Sequence, residues 1–572
     1  MVASTHWLAS SSGMAVLERG GNAFDAAAAA AFTLHVTEPH MNGPGGEVPA
    51  IFVTATDPTP RVLCGQGVAP QAATTRRFRD LGLDLVPGTG LLAAAVPGAV
   101  GAWLTLLRDH GTMPLRDVLG YAIGYAEHGH PVAPAVVDTI AVVADLFRTH
   151  WPSSADLWLP APAPGTLIRN PALAATYRRL VEEAEAAGGD RERQLDAAVT
   201  AWYEGFVAEA IDAFCRTEVV DDSGRAHRGL LTGADLAAWR PGYEPTLSHD
   251  VFGWQVHKVG AWSQGPVLLQ QLAMLEALGT HPGPATADEI HRVVEVAKLA
   301  FADRDATLGD GADLTALLDP AYVARRARLV GEEAGPALRN GLGRLPRYVL
   351  AGGAPAGPAG AGIGEPTLGV EPSVSPRGTT QGDTCHIDVA DRWGNVISAT
   401  PSGGWLQSSP TIPELGFCLG TRLQMFWLEE GLPGTLAPGR RPRTTLSPSF
   451  ATRDGVQLSF GTPGGDQQDQ WQLVFFLNHV VHGMNLQAAI DAPAWHTTSF
   501  ASSFYPRQTG TQLLLEARAA DAADELRRRG HDVALVDGWS LGRMSAISRD
   551  TATGLLRAGA NARGQQGYAV GR

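Results

Sequence analysis

The sequence predicts a large α/β protein, and three observations support that prediction. The 572 residues are 44% hydrophobic and 18% charged, which supplies apolar material for a buried interior and too few charges for a disordered chain. Residues 100 to 330 contain several segments with apolar side chains at helical spacing. From Thr384 onward the pattern changes to the alternation that is typical of strands.

Charge and hydropathy exclude two classes of partner. The formal net charge is -14, and Lys and Arg are scattered along the chain instead of forming a basic stripe, so we expect no nucleic-acid partner. The longest apolar stretch, Ala26 to Leu34, is about half of the ~20 residues that a membrane helix needs. We therefore expect no membrane partner. The first residues lack a basic segment followed by an apolar one, so a cytoplasmic location is expected.

The cysteines give no sign of a metal site. They lie far apart and without the spacing of metal ligands, so we interpret them as buried thiols and expect no structural zinc. They are Cys64, Cys215, Cys385 and Cys418.

Several elements can be predicted before residue 350. Glycines at Gly20 and Gly21 precede a run of alanines, which indicates a loop followed by a buried helix that extends to Val36. Met41 to Phe52 combines glycine and proline with an apolar end, which predicts a tight turn entering a strand. The predicted helices of the next region are Val100–Asp109, Val118–His128, Pro171–Ala187, Gln194–Cys215 and Ala287–Leu308.

The chain changes character at about residue 351. Residues 351–382 are rich in glycine, alanine and proline, which predicts a mobile linker that cannot bury a core. A hairpin is predicted to begin at Thr384, turn at Arg392 to Asn395 and continue from Val396. Later elements are a strand at Gln457–Phe460, an apolar helix at Trp471–His482 and a final αβ-like stretch, Asp521–Arg549.

A threonine that follows a flexible segment at the start of a strand suits one kind of chemistry. A hydroxyl nucleophile needs a base, and an N-terminal threonine carries one in its own α-amine, which has a reference pKa of about 7.7 to 8.0. The amine can be released if the hydroxyl attacks the preceding carbonyl, the acyl group shifts from nitrogen to oxygen, and water cleaves the resulting ester. Here the cleaved bond would join Asp383 and Thr384. Taken alone, Thr384 could equally be an ordinary strand residue.

The residues around Thr384 resemble a known family. The segment Gly382-Asp-Thr-Cys-His-Ile-Asp-Val-Ala-Asp-Arg-Trp-Gly-Asn395 is similar to the start of the small subunit of gamma-glutamyltranspeptidases. Five further blocks resemble that family in the same order, so the resemblance covers nearly the whole chain. These blocks are GGNAFDAAAAAAFTLHVTEPHMNGPGG, VPGAVGAW, HRVVEVAKLAFADRDATLGD, PGRRPRTTLSPS and GTPGGDQQDQW.

The resemblance implies an N-terminal-nucleophile (Ntn) hydrolase with a four-layer αββα sandwich. Self-cleavage of the precursor would give a large subunit of residues 1–383 and a small subunit of residues 384–572, which stay together as partners. The implied activity is amide hydrolysis or acyl transfer on a small-molecule amide or related acyl substrate, without a cofactor. The implied pathway passes through an acyl ester on Thr384.

The same resemblance assigns roles to individual residues. Thr384 is the implied nucleophile, and Ser402, eighteen positions later, is implied to support it by hydrogen bonding, although Pro401-Ser-Gly-Gly is also good turn chemistry. Gly464 and Gly465 match the pair whose backbone N–H groups contribute to the oxyanion hole. His386 lies two residues after the nucleophile, but a structural role is favoured because the amine already supplies the base.

The residues implied to bind substrate depart from the family pattern. Thr444 and Thr445 stand at a paired-serine position and keep the hydroxyls. Gln66 replaces an arginine that holds the glutamyl α-carboxylate, and a neutral amide lacks the charged bidentate fork. Trp427 falls where an acid usually meets the substrate amine, and Gly404 replaces an asparagine.

These departures predict an acyl donor other than glutathione. Gln424 begins the altered block, and only a shift in register would bring Glu429 or Glu430 to the acidic position. Two interpretations of Gln66 and Trp427 stay open: they line the substrate pocket, or they only pack against neighbouring side chains. Related members include cephalosporin acylases and an oxamate amidohydrolase, and homologues in alkylproline antibiotic pathways hydrolyse a carbon–carbon bond. An acylase or carbon–carbon hydrolase of this kind is one alternative, and an uncleaved, non-catalytic homologue is another.

Overall fold

The computed structural model describes residues 1–279, 282–350, 384–561 and 567–572, together with two short strands within residues 373–381. Its strands and helices form a four-layer αββα sandwich, as predicted. The strands are β1 (Val2–Ser4), β2 (Val48–Val53), β3 (Arg61–Gly65), β4 (His130–Pro131), β5 (Leu167–Ile168), β6 (Glu218–Val220), β7 (Ala226–Arg228), β8 (Gly242–Pro245), β9 (Leu247–Val251), β10 (Trp254–Lys258), β11 (Ser373–Val374), β12 (Thr380–Gln381), β13 (Ile387–Ala390), β14 (Val396–Ala399), β15 (Ser449–Arg453), β16 (Val456–Gly461), β17 (Trp495–Thr497), β18 (Gln512–Glu516), β19 (Asp532–Val536), β20 (Ser545–Asp550), β21 (Leu556–Ala560) and β22 (Tyr568–Val570).

Helices occupy most of the chain before residue 330 and recur in the last third. The α-helices are α1 (Trp7–Glu18), α2 (Ala23–Thr37), α3 (Thr75–Asp80), α4 (Ala99–His110), α5 (Leu115–His128), α6 (Pro134–His150), α7 (Pro152–Trp158), α8 (Pro171–Ala186), α9 (Arg191–Tyr203), α10 (Phe206–Cys215), α11 (Gly233–Ala237), α12 (Pro266–Leu278), α13 (Ala287–Thr307), α14 (Pro320–Ala327), α15 (Arg347–Leu350), α16 (Gln468–Phe476), α17 (Leu486–Asp491) and α18 (Ala523–Arg528). Short 3₁₀ turns include Arg422–Met425 and Gly465–Gln467.

Two antiparallel sheets form the inner layers. The first has seven strands in the order β22-β1-β13-β14-β2-β3-β8, and the second has six in the order β21-β20-β16-β15-β10-β9. Alternate residues of each strand point to opposite faces. In β2, Ile51 and Val53 face the second sheet, where they meet Phe450 and Ile547 in a buried cluster. Val48, Ala50 and Phe52 of the same strand face the helices instead.

Helices cover the outer face of each sheet. Helix α2 packs on the first sheet, and all fifteen of its residues are buried, because its alanines allow close approach on every side. Asn22 caps this helix through hydrogen bonds to the amides of Phe24 and Asp25, and Asp25 completes a capping box. Helices α12 and α16 pack on the second sheet, and α13 packs on α12.

The structure confirms most predicted elements and corrects the region between residues 100 and 330, where the helix predicted at Gln194–Cys215 is divided into α9 and α10. The helix after Gly21 and the strand after Gly46 are present as α2 and β2. The region between residues 100 and 330 is less uniformly helical than predicted, because β8, β9 and β10 lie within it and extend the two main sheets. Strands β8 and β9 are short and partly exposed, and their side chains do not alternate cleanly between apolar and polar.

Two further comparisons concern the boundary of one predicted helix and the predicted linker. The apolar helix predicted from Trp471 begins earlier, at Gln468, and continues after Phe476 as a π-helical turn over Leu477–Val481. The predicted linker, 351–382, lies outside the described residues apart from β11 and β12. Among the described residues, no helix has both the length and the apolarity to cross a bilayer.

The inter-sheet core gives a prediction about stability. Phe450 is fully buried between the sheets, so Phe450→Ala should cost about 3–5 kcal/mol through lost apolar contact and a residual cavity. Thermal unfolding at a fixed scan rate should detect a lower apparent Tm. Leu167→Ala serves as the control, because Leu167 is 63% exposed. Equal shifts for the two variants would contradict this assignment of the core.

Candidate active site

The hairpin of β13 and β14 places Thr384 opposite Ser402. The register that pairs Ile387 with Ala399 continues outward, so Thr384 and Ser402 form an antiparallel bridge beyond the ends of the strands. Both side chains are buried, and the Thr384 hydroxyl donates to Ser402 Oγ at 3.3 Å. The residue pair predicted eighteen positions apart is therefore in direct contact.

Ser402 is held in turn by a buried ion pair. Its backbone exchanges two hydrogen bonds with Glu47, at 3.0 Å from the Ser402 amide and 2.8 Å to the Ser402 carbonyl. Arg422 Nη2 donates to Ser402 Oγ at 3.1 Å and forms an ion pair with Glu47. Both charged side chains are at most 4% exposed. Glu47 and Arg422 could not be predicted from the sequence, because the pair joins segments far apart in the chain.

The glycine pair lies in a turn that enters a helix. Strand β16 ends at Gly461, and the 3₁₀ turn that starts at Gly465 leads into α16. Gly464 and Gly465 have φ of 123° and 52°, and a Cβ at residue 464 would lie 2.3 Å from the Trp471 ring, so glycine is required at residue 464. Backbone amides at such a helix entrance are suited to binding an anion.

This turn lies beside the strand that follows Thr384. A Cβ on Gly461 would lie 2.2 Å from the His386 ring, so the end of β16 packs against the start of β13. His386 is itself buried, with Nδ1 2.9 Å from Thr400 Oγ1 and Nε2 3.1 Å from Asp388 Oδ2. These strand-to-strand contacts support the structural role predicted for His386.

Cys385 directly follows Thr384 but is unsuited to act as a nucleophile. Its thiol is buried and donates to Glu38 Oε2 at 3.1 Å, and Asn42 Nδ2 donates to its sulfur at 3.2 Å. Burial and the Glu38 charge raise the pKa of the Cys385 thiol well above its usual range. Because the thiolate is the reactive form, Cys385 does not compete with the hydroxyl of Thr384.

Gln66 and Gly404 occupy restricted positions. Gln66 is fully buried, its Nε2 donates to the Gly67 carbonyl at 3.2 Å, and its Oε1 has no hydrogen-bond partner in the part of the chain that the structure describes. Gly404 has φ of 66°, and a Cβ there would lie 2.8 Å from the Gly46 amide nitrogen. An asparagine at residue 404 would therefore require the backbone of Gly45 and Gly46 to move.

Gln424 and Trp427 lie close together, and the acids after them point elsewhere. Gln424 Oε1 accepts from the Tyr505 amide at 3.0 Å, and Trp427 lies under the Arg507 guanidinium at 3.8 Å from its ring centroid. Glu429 and Glu430 form ion pairs with Arg344 and Arg79, and the Glu430 side chain is 71% exposed. Neither acid therefore replaces the carboxylate that the family pattern places at residue 427.

The paired threonines are buried beside the second sheet. The Thr444 amide donates to the Trp262 carbonyl at 2.8 Å, and Thr444 forms a parallel bridge with Ser263. Thr445 Oγ1 has no hydrogen-bond partner among the described residues. Lys258 and Asp469 pair behind this segment at 3.4 Å, and Ser447 Oγ donates to Asp469 at 2.6 Å. Burial lowers the pKa of Lys258 to about 8.

A cluster of buried charged side chains adjoins these segments. It was not predicted from the sequence. Arg304 pairs with Asp305 at 3.0 Å and with Asp466, the residue after Gly465. Arg443 precedes Thr444 and lies 3.9 Å from Asp305, and Arg507 covers Trp427. The run Arg440-Arg-Pro-Arg was the only signal in the sequence, and it does not say which of its side chains point inward.

One set of possible metal ligands lies elsewhere in the described residues. Ligand atoms of His291, Glu295 and His531 lie within 4.8 Å of one another. However, Glu295 already forms ion pairs with Lys298 and Arg339, and His291 Nδ1 is 2.8 Å from His531 Nε2. The two cations oppose a further positive charge, so this geometry fits a packed hydrogen-bond network better than a metal site.

Comparison with known proteins identifies the family. The gamma-glutamyltranspeptidase family pattern matches residues 9–571. The chain belongs to the gamma-glutamyltranspeptidase family. It is 31% identical to an oxamate amidohydrolase proenzyme of Klebsiella pneumoniae and 29% identical to the glutathione hydrolase-like YwrD proenzyme of Bacillus subtilis. Each alignment covers 100% of this chain and 98% of the relative.

Solved structures of gamma-glutamyltranspeptidase relatives agree with the fold. A structure of a LmbA2991 variant is 56% identical, with a TM-score of 0.93 and coverage of 100% of this chain and 98% of that one. Cephalosporin acylase from Bacillus halodurans is 29% identical, with a TM-score of 0.81 and coverage of 100% and 95%. The protein is thus a gamma-glutamyltranspeptidase-like Ntn hydrolase, an enzyme of amide hydrolysis or acyl transfer. Both of the named relatives from Klebsiella and Bacillus subtilis are described as proenzymes.

The ion pair beside Ser402 yields a prediction about stability. Glu47→Gln leaves the buried Arg422 charge without its carboxylate, which should cost about 3–5 kcal/mol, whereas Glu47→Gln with Arg422→Met should recover part of that loss. Apparent Tm values measure both effects. Arg344→Met breaks the exposed pair with Glu429 and should cost at most about 1 kcal/mol. A Glu47→Gln shift as small as the Arg344→Met shift would refute the importance of the pair.

Proposed function

We propose that cleavage of the Asp383–Thr384 bond frees Thr384 to act as the nucleophile of an acyl-transfer reaction. The observation that carries this proposal is the contact between the Thr384 hydroxyl and Ser402 at the start of β13, in a chain whose family match spans residues 9–571. Asp383 itself lies outside the described residues. The α-amine of Thr384 would then be the base.

The reaction proceeds in two steps. Thr384 Oγ1 attacks the substrate carbonyl while its proton passes to the α-amine, which then protonates the leaving amine as the carbon–nitrogen bond breaks. Water or an acceptor amine cleaves the resulting ester and restores the free hydroxyl. The backbone N–H groups of Gly464 and Gly465 stabilise the oxyanion of each step, and one such donor contributes about 2.7–4 kcal/mol in a comparable enzyme. Hydrolysis of a carbon–carbon bond beside a carbonyl would use the same ester and stays a prediction.

Ser402 has a positioning role in this mechanism. Its hydroxyl accepts from Arg422 Nη2 as well as from Thr384 Oγ1, so the buried guanidinium fixes the position of Ser402 Oγ. That position in turn orients the Thr384 hydroxyl. Near-attack geometry of the nucleophile depends on this kind of fixation.

The proposed subunits, 1–383 and 384–572, cannot separate without dismantling both sheets. In the first sheet, β13 and β14 of the small subunit lie between β1 and β2 of the large subunit. In the second sheet, β10 of the large subunit pairs with β15 of the small one. Cleavage before Thr384 therefore leaves all of these strand pairings in place.

Substitution of Thr384 tests the nucleophile. Thr384→Ala should give one band near 60.1 kDa on a denaturing gel and no turnover, because both reactions need the hydroxyl. The wild-type protein should give two fragments, and sequencing of the smaller should begin Thr-Cys-His-Ile. Thr384→Ser should retain part of both activities. Thr411→Ala changes another buried threonine and should still be cleaved. Cleavage or turnover by Thr384→Ala would disprove the proposal.

We further propose that the acyl donor is not a gamma-glutamyl compound. A glutamyl head carries a carboxylate and an ammonium, and Gln66 and Trp427 offer neither of the charged partners that the family pattern provides. Charge-assisted hydrogen bonds contribute roughly 1.5–3 kcal/mol each, so the loss of both weakens recognition greatly. The names of the oxamate amidohydrolase and the cephalosporin acylase support a shift of donor within the family.

A comparison of donors tests this second proposal. Gamma-glutamyl-p-nitroanilide should be hydrolysed with a kcat/KM at least about tenfold below that of the best donor among glutaryl and oxamate amides, because its ammonium lacks a partner. Gln66→Arg should reduce this difference. Efficient turnover of the gamma-glutamyl compound by the wild-type enzyme would overturn the argument from Gln66 and Trp427.

A further inference from the structure

Arg443 carries a buried guanidinium whose hydrogen-bonding capacity is only partly satisfied. The residue is 3% exposed, precedes Thr444 and donates from Nη2 to Ser503 Oγ at 2.8 Å. Asp305, the carboxylate beside it, lies at 3.9 Å and already pairs with Arg304 at 3.0 Å. Arg443 Nη1 has no hydrogen-bond partner among the described residues. A buried charged donor without a partner is costly and requires an explanation.

Arg507, between β17 and β18, is a second buried arginine whose hydrogen-bonding capacity is only partly satisfied. It is 1% exposed, and its Nη2 donates to the carbonyls of Gln424 at 2.7 Å and Phe426 at 3.2 Å. Its guanidinium is stacked 3.8 Å from the centroid of the Trp427 ring, yet Nη1 has no hydrogen-bond partner within the described part of the chain. The φ of Arg507 is 59°, a left-handed conformation that non-glycine residues adopt rarely.

The cluster around these two side chains has an excess of positive charge. Arg304, Arg443 and Arg507 face Asp305 and Asp466, so three cations meet two carboxylates and one positive charge remains. All five residues are at most 5% exposed. Burial, and then the neighbouring arginines, lower the pKa of Arg443 to about 10 and that of Arg507 to about 9. A bound anion would relieve this repulsion.

The cluster borders the proposed reaction centre on two sides. Asp466, which pairs with Arg304, directly follows Gly465 of the oxyanion turn. The 3₁₀ turn Arg422–Met425 contacts Ser402 through Arg422 and Arg507 through the carbonyl of Gln424. A ligand held by the two arginines therefore lies next to the segments that surround Thr384.

We propose that Arg443 and Arg507 bind a carboxylate on the acyl group of the substrate through their unpartnered Nη1 groups. This inference rests on the proposed function, because it assumes that Thr384 accepts the acyl group. Guanidinium groups match carboxylates in charge and shape. The excess positive charge repels an ammonium. The substrate class is therefore a monoamide of a dicarboxylic acid, anionic at its far end and without the amine of a glutamyl group.

Donors that differ only in charge test the inference. The oxalyl, succinyl and glutaryl p-nitroanilides are each compared with the counterpart in which the free carboxylate is a carboxamide. In the wild-type enzyme, at least one carboxylate donor should exceed its carboxamide counterpart roughly 10- to 100-fold in kcat/KM, mainly through KM. Equal turnover within all three pairs would overturn the inference.

Substitution of the two arginines tests whether they cause the preference for carboxylate donors. Arg443→Gln and Arg507→Gln should each reduce the preference for carboxylate, measured as the ratio of kcat/KM for the two donors of a pair, about tenfold or more. Arg440→Gln makes the same charge change in the same segment, but Arg440 donates to the Asp310 carbonyl outside the cluster, so the preference should persist. An unchanged preference in both cluster variants would refute the role of the arginines. Cleavage into two subunits shows that each variant has folded.

A binding measurement separates this inference from the proposed function and covers variants that fail to fold. Calorimetry on the wild-type protein should detect binding of the dicarboxylate whose anilide is preferred, and the corresponding diamide, which has no carboxylate, should bind at least about tenfold more weakly. Thr384-dependent turnover without a preference for carboxylate, and without such binding, would disprove only the arginine site. Binding of the dicarboxylate without any cleavage or turnover would disprove only the role of Thr384.

Discussion

The contact between Glu47 and Arg422 fixes the position of the residues on which the chemistry depends. The two charges are buried, so each needs the other, and together they hold Ser402 through its backbone and its hydroxyl. Ser402 then receives the hydrogen bond of Thr384. Because Glu47 precedes the proposed cleavage site and Arg422 follows it, the nucleophile is positioned only when both parts of the chain are folded together.

This dependence is consistent with the composition of the sheets, each of which combines strands from both proposed subunits. A small subunit that folded apart from the large one would leave the edges of β13 and β15 unpaired and would bury Arg422 without Glu47. With β1 and β2 on either side of the β13–β14 hairpin, the register that sets Thr384 against Ser402 is determined by the whole sheet. Proper geometry for cleavage thus follows from complete folding of the precursor.

The site residues that can be predicted from the sequence lie in continuous motifs. Those that cannot be predicted depend on contacts between distant segments. Thr384, Ser402 and the glycine pair could be predicted because each lies in a short, continuous sequence motif that resembles the family. Arg443 and Arg507 cannot, because their inward direction depends on Ser503, Trp427 and the carbonyls of a distant 3₁₀ turn. Strand β10 was missed for a similar reason, since its place in the second sheet depends on pairing with β15.

The charge distribution also connects the two proposals. The family pattern places an arginine at residue 66, whereas this chain has a neutral amide there and buried guanidinium groups at residues 443 and 507. Positive charge therefore lies just before the paired threonines, at Arg443, and beside the 3₁₀ turn Arg422–Met425, at Arg507. The ammonium of a glutamyl head is disfavoured in such surroundings. Because the same field favours an acidic acyl group, one charge distribution would account for both the loss of glutamyl recognition and the preference for a carboxylate.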